Sequence, residues 1–289
     1  MAVKKQWNKI ISIKFFKGNI ELPQYEIKCP TYGRKPDIEI TGQFVTDDLL
    51  PAFNVKIKNL YMDAPSGTDI NMQIKAGYEG SLQTFTGSLL SMINETPSPE
   101  GVTTFQCVLG SMINYNDANV SINLIKNYSL YEAAQKIADA LGLTLLIDTE
   151  LITAMSGEPL EFTGKAKEAI SVLKQRFVEK HIMITIRDQK LCVWSTDTRQ
   201  NFINYDLDYL SSPPQRTAGG DGSVWNDISA PWIPALRPGD TLTYKSNSYR
   251  LNYHAVSEKR QKLVTTTVQF HFSTVGNINQ MTVSGYGVN

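Results

Sequence analysis

From Ile10 to about Leu109 the chain alternates apolar and polar residues in short runs: Ile10–Phe16, Ile38–Phe44, Phe53–Leu60, Ile70–Tyr78, Gln83–Asn94 and Thr103–Leu109. In an extended chain a period of two sends alternate side chains to opposite faces, so each run predicts a strand with one buried face. In the fourth run Ile70, Met72 and Ile74 share one face, and Asn71, Gln73 and Lys75 the other. Between the runs lie Lys17-Gly18-Asn19, Tyr32-Gly33-Arg34, Ala64-Pro65-Ser66-Gly67 and Pro97-Ser98-Pro99-Glu100-Gly101, rich in turn-forming residues. Many short strands with regular turn signals predict a sandwich or barrel. The fourth run ends on Gly77-Tyr78-Glu79-Gly80, a glycine-bracketed aromatic and acid. An active site, a carbohydrate-binding edge and a structural corner would each use such residues.

The pattern changes after Tyr115. Leu130, Ala133, Ala134, Ile137, Ala138 and Leu141 follow the spacing of one helix face. Ser129 and Glu132 form an S-x-x-E capping box, and Gly142 suits the residue past the helix end. A strand is expected at Leu143–Ile147, then a helix from about Lys165 to Glu179 with Ala166, Ala169, Ile170, Leu173 and Phe177 inward. A hairpin follows, with Ile182, Ile184 and Ile186 outbound, a turn at Arg187-Asp188-Gln189-Lys190, and Leu191, Val193 and Ser195 returning. From Asn201 the β pattern resumes. It shows loops at Ser211–Pro214 and Ala218–Gly222, a Pro238-Gly239-Asp240 turn, and strands at Thr241–Lys245, Tyr249–Val256 and Leu263–Ser273. In the last of these Val264, Thr266, Val268, Phe270 and Phe272 are expected on one face. The fold class is therefore mainly β with an α+β insert: two tube-like β-barrel or sandwich domains, 1–115 and 197–289, flanking a small α/β module, 116–196.

Composition narrows the function. The 289 residues carry 28 Lys and Arg against 28 Asp and Glu, so the formal net charge is zero. Affinity resting on phosphate neutralisation calls for a basic excess, which disfavours sequence-independent nucleic-acid binding. The three cysteines, Cys29, Cys107 and Cys192, show no paired spacing, which argues against a disulfide framework or structural zinc and for a reducing compartment. The N-terminus lacks an apolar signal core, and no stretch approaches the roughly 18 apolar residues of a membrane span. A soluble, unexported chain with no membrane anchor is expected.

The motifs nominate no reaction. His181, His254 and His271 stand apart, the latter two in strand contexts, and H-E-x-x-H and G-x-S-x-G are both missing. The stretch from Gly157 to Ala166 resembles a phosphate loop only superficially, because Ala166 stands where a magnesium-ligating Ser or Thr belongs. Gly164-Lys165 reads as the approach to a helix. Ala218–Gly222 reads as a surface loop, and Thr46-Asp47-Asp48 as a turn or cap. Glu79 would need a second carboxylate across a sugar cleft to serve a glycosidase, and the sequence names none. No catalytic, cofactor-binding or metal-binding residue is assigned.

The order of the pieces carries a resemblance. Asn59-Leu60, Ala76-Gly77-Tyr78 and Phe85-Thr86-Gly87-Ser88-Leu89, then the capped helix ending in Leu141-Gly142-Leu143, a second helix with a hairpin, and Pro238-Gly239-Asp240 before a strand, follow one another over about residues 40 to 275. This series resembles baseplate hub proteins of contractile-tailed bacteriophages, the tail hub or late control protein D-like family. The resemblance implies a structural subunit of the virion tail baseplate, assembled in the host cytoplasm. Three subunits, each with two tube-like β domains, would form a ring joining a sixfold tail tube to a threefold central spike. The expected partners are further copies in a homotrimer, the tail tube, central spike and tape measure proteins, and neighbouring baseplate proteins. DNA would be present only in transit, and no cofactor is implied. On this reading Gly77, Gly80, Gly87, Pro238 and Gly239 shape turns, while Tyr78, Trp225 and Trp232 lie near subunit boundaries. Two alternatives stay open: a carbohydrate-binding tail adhesin stacking sugars on Trp194, Trp225 and Trp232, or a glycan-acting tail hydrolase.

Overall fold

Alternation alone explains most of the first hundred residues. The computed structural model describes residues 8–29, 36–46, 52–60, 63, 65, 69–95, 101–109, 115, 118–187, 190–195, 203–207, 210–211, 215–218, 224–245, 260–276 and 279–288, the 215–218 and 224–227 stretches as backbone. The strands are β1 (Lys9–Lys17), β2 (Ile20–Glu21), β3 (Ile27–Lys28), β4 (Ile38–Val45), β5 (Ala52–Lys58), β6 (Ile70–Tyr78), β7 (Ser81–Glu95) and β8 (Val102–Leu109). The inward sets are those the period predicts: Ile11, Ile13 and Phe15 on β1, Phe53, Val55 and Ile57 on β5, and Met72 and Ile74 on β6.

The central module is built on β9 (Asn119–Leu124), β10 (Tyr128–Ser129), helix α1 (Leu130–Leu141), β11 (Thr144–Ile147), β12 (Met155–Ser156), β13 (Leu160–Lys165), helix α2 (Ala166–Arg176), β14 (Ile182–Arg187) and β15 (Lys190–Ser195). The capping box forms as read: the Glu132 backbone N–H donates to Ser129 Oγ at 3.1 Å, and the Ser129 N–H donates to the Glu132 carboxylate at 2.7 Å. Gly142 ends α1 in the left-handed region at φ +66°. α2 is shorter than predicted, because the chain tightens into a 3₁₀ turn at Val178–Lys180 that His181 closes at φ +46°. Gly164-Lys165 leads into α2 at Ala166, as expected, and the residues before it form β13, antiparallel to β9, with Leu160 buried. β15 pairs parallel with β11 and antiparallel with β14. These elements enclose their own core, centred on Leu130, Ile137, Leu173 and Ile184.

The carboxy-terminal region supplies β16 (Asn204–Leu207), β17 (Gln215–Ala218), β18 (Val224–Pro231), β19 (Thr241–Lys245), β20 (Arg260–Ser273) and β21 (Asn279–Val288). The strand expected at Tyr249–Val256 lies outside the described residues. All five residues predicted on one face of β20 are buried, yet a bulge between Thr265 and Thr267 breaks the period and buries Leu263 and Thr265 as well. The bulge presses on β21, where a Cβ at Gly285 would run into the Val264 carbonyl.

These strands join those of the amino-terminal region in one sheet ordered β17-β18-β21-β20-β4-β5-β8-β7-β6-β1-β2. The junction is the antiparallel pair β4–β20, from Glu39↔Ser273 to Val45↔Thr267. Both regions therefore share one core, in which Phe44, Phe53 and Phe85 meet Trp232, Phe270 and Phe272. We call this shared structure the β platform.

Removing the α1 cap by Ser129→Ala is expected to cost about 1 kcal/mol of stability, because an orphan backbone donor is left to solvent. Hydrogen bonds from the Ser129 N–H and hydroxyl hold the Glu132 carboxyl below the ordinary glutamate range. A depressed folded value stabilises above the unfolded one and is lost as pH falls through the folded value. In circular-dichroism melts across the acid range, Glu132→Gln should lose less stability on acidification than the native chain. Superimposable pH profiles would refute this account of the cap.

Candidate functional site

Two glycine-containing turns, far apart in sequence, are brought together by the platform. The first closes the β6–β7 hairpin. Tyr78 pairs with Ser81 across a two-residue loop, Glu79-Gly80, and Gly80 takes φ +83° with open space around it. Gly77 lies one step earlier, inside the strand, between Ile10 of β1 and Leu82 of β7. Its φ of +143° strains any side chain, and a Cβ there would strike the Ser81 carbonyl and crowd Pro234 Cγ at 3.2 Å. Gly77 is thus a point of close approach, and the corner itself is Glu79-Gly80. Gly87, expected to shape a turn, is mid-strand opposite Met72.

The segment that leans on Gly77 carries the second turn. Asp240 N–H donates to Arg237 O at 3.1 Å, with Pro238 second and Gly239 third at φ +94°. That is the signature of a type II turn, which fits Pro then Gly. The turn delivers Asp240 into the interior, where its side chain is fully buried. Asp240 Oδ1 accepts from Arg187 Nη1 at 2.7 Å and from the Ile203 N–H at 3.2 Å, and Oδ2 accepts from the Arg237 N–H at 2.9 Å. Thr265, at the β20 bulge, fastens the turn from the other side by donating its hydroxyl to Arg237 O at 2.7 Å and to Asp240 O at 3.0 Å. Burial pushes the Asp240 carboxyl above the usual carboxylate range, against the pull of Arg187 and the two backbone donors. The same desolvation, then the Asp240 charge, raises the Tyr205 hydroxyl. Arg237 donates to Pro234 O and Leu236 O, and its guanidinium lies 4.3 Å above the Phe44 ring and 5.2 Å from Phe85. Sequence reasoning took Arg187 and Asp240 as turn residues only; nothing local marks a partner 53 positions away.

The aromatic expectations need correction. Tyr78 and Trp232 are covered by the chain's own core: Tyr78 meets Phe272 edge-on at 5.5 Å, and Trp232 stacks on Phe270 at 4.7 Å. Neither reaches a surface where a neighbour or a sugar would touch it. Trp194 is buried as well, which removes two of the three platforms an adhesin would use. Trp225 lies in β18, opposite Thr217 and Tyr286; its side chain falls outside the described residues.

The candidate reactive groups are occupied by structure. Glu79, on the exposed hairpin, accepts from Asn8 Nδ2 at 2.8 Å. His271 lies 3.7 Å from Glu39 on the outer face, and His181 is the left-handed end of a 3₁₀ turn. His254, Asp47 and Asp48 lie outside the described residues. All three cysteines are buried, and desolvation pushes the Cys107 thiol up to about 12, so it stays protonated. Among the described residues no group of three or more His, Cys, Asp or Glu is placed to hold a metal ion. No described helix is long and apolar enough to cross a membrane.

The platform presents a broad outer face on which neutral polar side chains, joined across strands, alternate with charged ones such as Lys14, Glu39 and Lys58. Gln269 donates to Gln43 at 3.4 Å, Ser91 to Gln106 at 2.9 Å, and Ser88 to Asn71 at 3.2 Å. Near it the second half of β7 carries exposed Leu90 and Ile93, and β2 carries exposed Ile20.

No protein-family model matches the chain, and no curated protein does. Solved structures share its fold. A tail protein from Neisseria meningitidis MC58 superposes with a TM-score of 0.62 at 9% identity, covering 98% of this chain and 97% of that one. The 43 kDa tail protein of prophage MuSo2 from Shewanella oneidensis gives 0.60 at 10% identity, covering 96% of each chain. An E. coli component of the type VI secretion system, itself described as similar to bacteriophage T4 tail proteins, gives 0.57 at 11% identity over 89% of this chain and 76% of that one. At these identities the likeness is one of fold.

The hairpin geometry separates a structural role from a chemical one. Gly77→Ala is expected to cost on the order of 1 kcal/mol or more, from a forbidden φ together with the collision at Ser81. Glu79→Gln should leave the melting temperature nearly unchanged. Thermal melts alongside a glycan turnover assay decide it. A Glu79→Gln protein that is fully stable but has lost glycan turnover would overturn the structural reading.

Proposed function

We propose that this chain is a structural baseplate hub subunit of a phage-type tail, acting through geometry rather than catalysis. The observation that carries the reading is its fold, which matches tail proteins from end to end rather than over one module. On this reading the amino- and carboxy-terminal β regions act as two tube-like domains, with the α/β module set to one side. Three copies, each giving two such domains, make a ring of pseudo-sixfold symmetry. Such a ring meets a sixfold tail tube on one side and a threefold central spike on the other. The remaining partners would be the tape measure protein and neighbouring baseplate proteins, with DNA only in transit. Closed rings of this kind rest on interface burial, for which the exposed Leu90 and Ile93 of β7 and Ile20 of β2 are suitable surface. A chain of 28 basic and 28 acidic residues also suits a passage that must not hold DNA.

Mass photometry of the purified chain, alone and mixed with candidate tube and spike proteins, tests the assembly. A mass of three chains is expected, in isolation or once a partner is added. A protein that stays monomeric with both partners present would count decisively against the hub.

A further inference from the structure

Charge disappears from the chain at the β7–β8 ribbon. Lys, Arg, Asp and Glu make up 19% of the residues, yet none of them, and no His, occurs from Ser81 to Asn94 or from Gly101 to Asn116. The two strands pair from Ser88↔Val108 to Glu95↔Val102, which lays the depleted stretches side by side. Met92 and Phe105 pair inward against the core, so Ser91, Ile93, Thr104 and Gln106 take the outer face. Leu90 is the extra residue of the irregularity between Leu89 and Ser91, a place where a bulge re-aims a side chain. Leu90 is 55% exposed and Ile93 48%. Charge returns one strand further in, where Thr104 faces Lys56 on β5 and Lys56 faces Glu39 on β4. The uncharged, part-apolar area is therefore confined to one margin of the outer face.

We infer that this margin is a docking surface for a second copy of the chain: the outer face of β7–β8, centred on Leu90 and Ile93, is covered by the carboxy-terminal β region of a neighbouring subunit. Interface centres are depleted in charged residues, because a charge taken out of water without a partner is costly. A sheet margin that stays in water is normally guarded by charges or covered by a short segment. The β1 margin of this sheet has both devices. Lys14, Glu21, Glu26 and Lys28 pair there, and the chain covers its own strand, with Leu22 N–H donating to Phe15 O at 2.8 Å and Cys29 N–H to Ile11 O at 2.9 Å. The β7–β8 face has no such charges.

The same depletion selects the occupant. A face without a cation offers nothing to phosphate, and a strongly charged protein surface would bury its charges against it unmatched. A neutral surface of a second subunit meets neither obstacle. The choice of the carboxy-terminal region rests on the hub reading. In a ring where the two β regions of each copy alternate, the amino-terminal region meets its own carboxy-terminal region at β4–β20 and a neighbour's on its other flank. β7 stands on that flank, beyond β5 and β8 in the order β20-β4-β5-β8-β7.

The test introduces Leu90→Lys and Ile93→Lys singly, with Ile93→Thr as a milder change and Met155→Lys, equally exposed but on the α/β module, as the control. Circular-dichroism melts should match the native chain for all four. In mass photometry, with candidate tube and spike proteins present, each lysine on β7 should raise the subunit dissociation constant on the order of a hundredfold. Ile93→Thr should weaken assembly less, and Met155→Lys should leave it intact. Amide exchange at Leu90–Ile93 should slow when the native chain assembles. If the native chain assembles and both β7 lysine variants assemble equally well, the docking surface is refuted while the hub stands. If the native mass is other than three chains and the β7 variants are monomeric, the surface stands and the ring of three falls. A native chain that stays monomeric under every condition overturns both.

Discussion

The structure depends first on the pairing of β4 with β20, because this is where the two β regions become one sheet. Six consecutive pairs from Ile40↔Phe272 to Val45↔Thr267 form the middle and one end of the seam. The seam is prolonged by Thr46 N–H donating to Thr266 O at 2.9 Å, and by Ile38 N–H donating to the Thr274 hydroxyl at 2.9 Å. Gly42 makes the packing possible. A Cβ there would lie 2.7 Å from Phe270 Cζ and 3.1 Å from Phe53, so the missing side chain is the space those rings occupy. Phe270 then touches Phe53 at 5.2 Å and Trp232 at 4.7 Å. Aromatic contacts add about 0.5–1.5 kcal/mol each beyond the area they bury. Exposed ion pairs such as Lys28–Glu26 contribute about 0–1 kcal/mol. The seam is therefore held by rings, and without it two long strand edges would stand open to unwanted pairing.

The polar node beside the seam does a different job. Taking Asp240 out of water is costly, and the pair with Arg187 offsets that cost without making the chain more stable than a packed apolar pair would. What it supplies is placement. A carboxylate with three separate donors has few acceptable positions, so the module's hairpin is set at one height against the platform. The Arg237 guanidinium works similarly, spreading over Phe44 and Phe85 and fixing the segment that presses on Gly77.

How much of this could be read from the residues follows from range. Strands with strict alternation, β1 and β4 to β8, were legible because one face is buried and the other wet. The α1 cap was legible because Ser129 and Glu132 satisfy each other within four residues. β21 was not: Asn279, Gln280, Ser284 and Gly285 look like a loop, and only Met281 and Val283 face the core. β18 was hidden in the same way, and β13 by its resemblance to a phosphate loop. Tyr78 and Trp232 were taken for boundary residues because burial of an aromatic is decided by strands far away in sequence, here β20. The Arg187–Asp240 pair lay beyond any local signal. Fold class was therefore legible, and the site's connections were not.

The charged residues of the outer face bear on how such a sheet meets a polyanion. Lys58 lies 2.8 Å from Asp37 and 3.4 Å from Glu39; Lys14 lies 2.8 Å from Glu21 and 3.7 Å from Glu26, which also pairs with Lys28. Each of these three cations faces at least one carboxylate, and the hydrogen bond to Asp37 raises the Lys58 ammonium while that to Glu21 raises Lys14. A phosphate would have to displace those carboxylates before any counterion release could favour binding. Between the charged groups the face is amide and hydroxyl, already hydrogen-bonded strand to strand. Where a cation is paired and a neutral donor engaged, a passing phosphate finds fewer free partners. In the proposed hub, a sheet held rigid by its aromatic seam would keep its shape as the tail works.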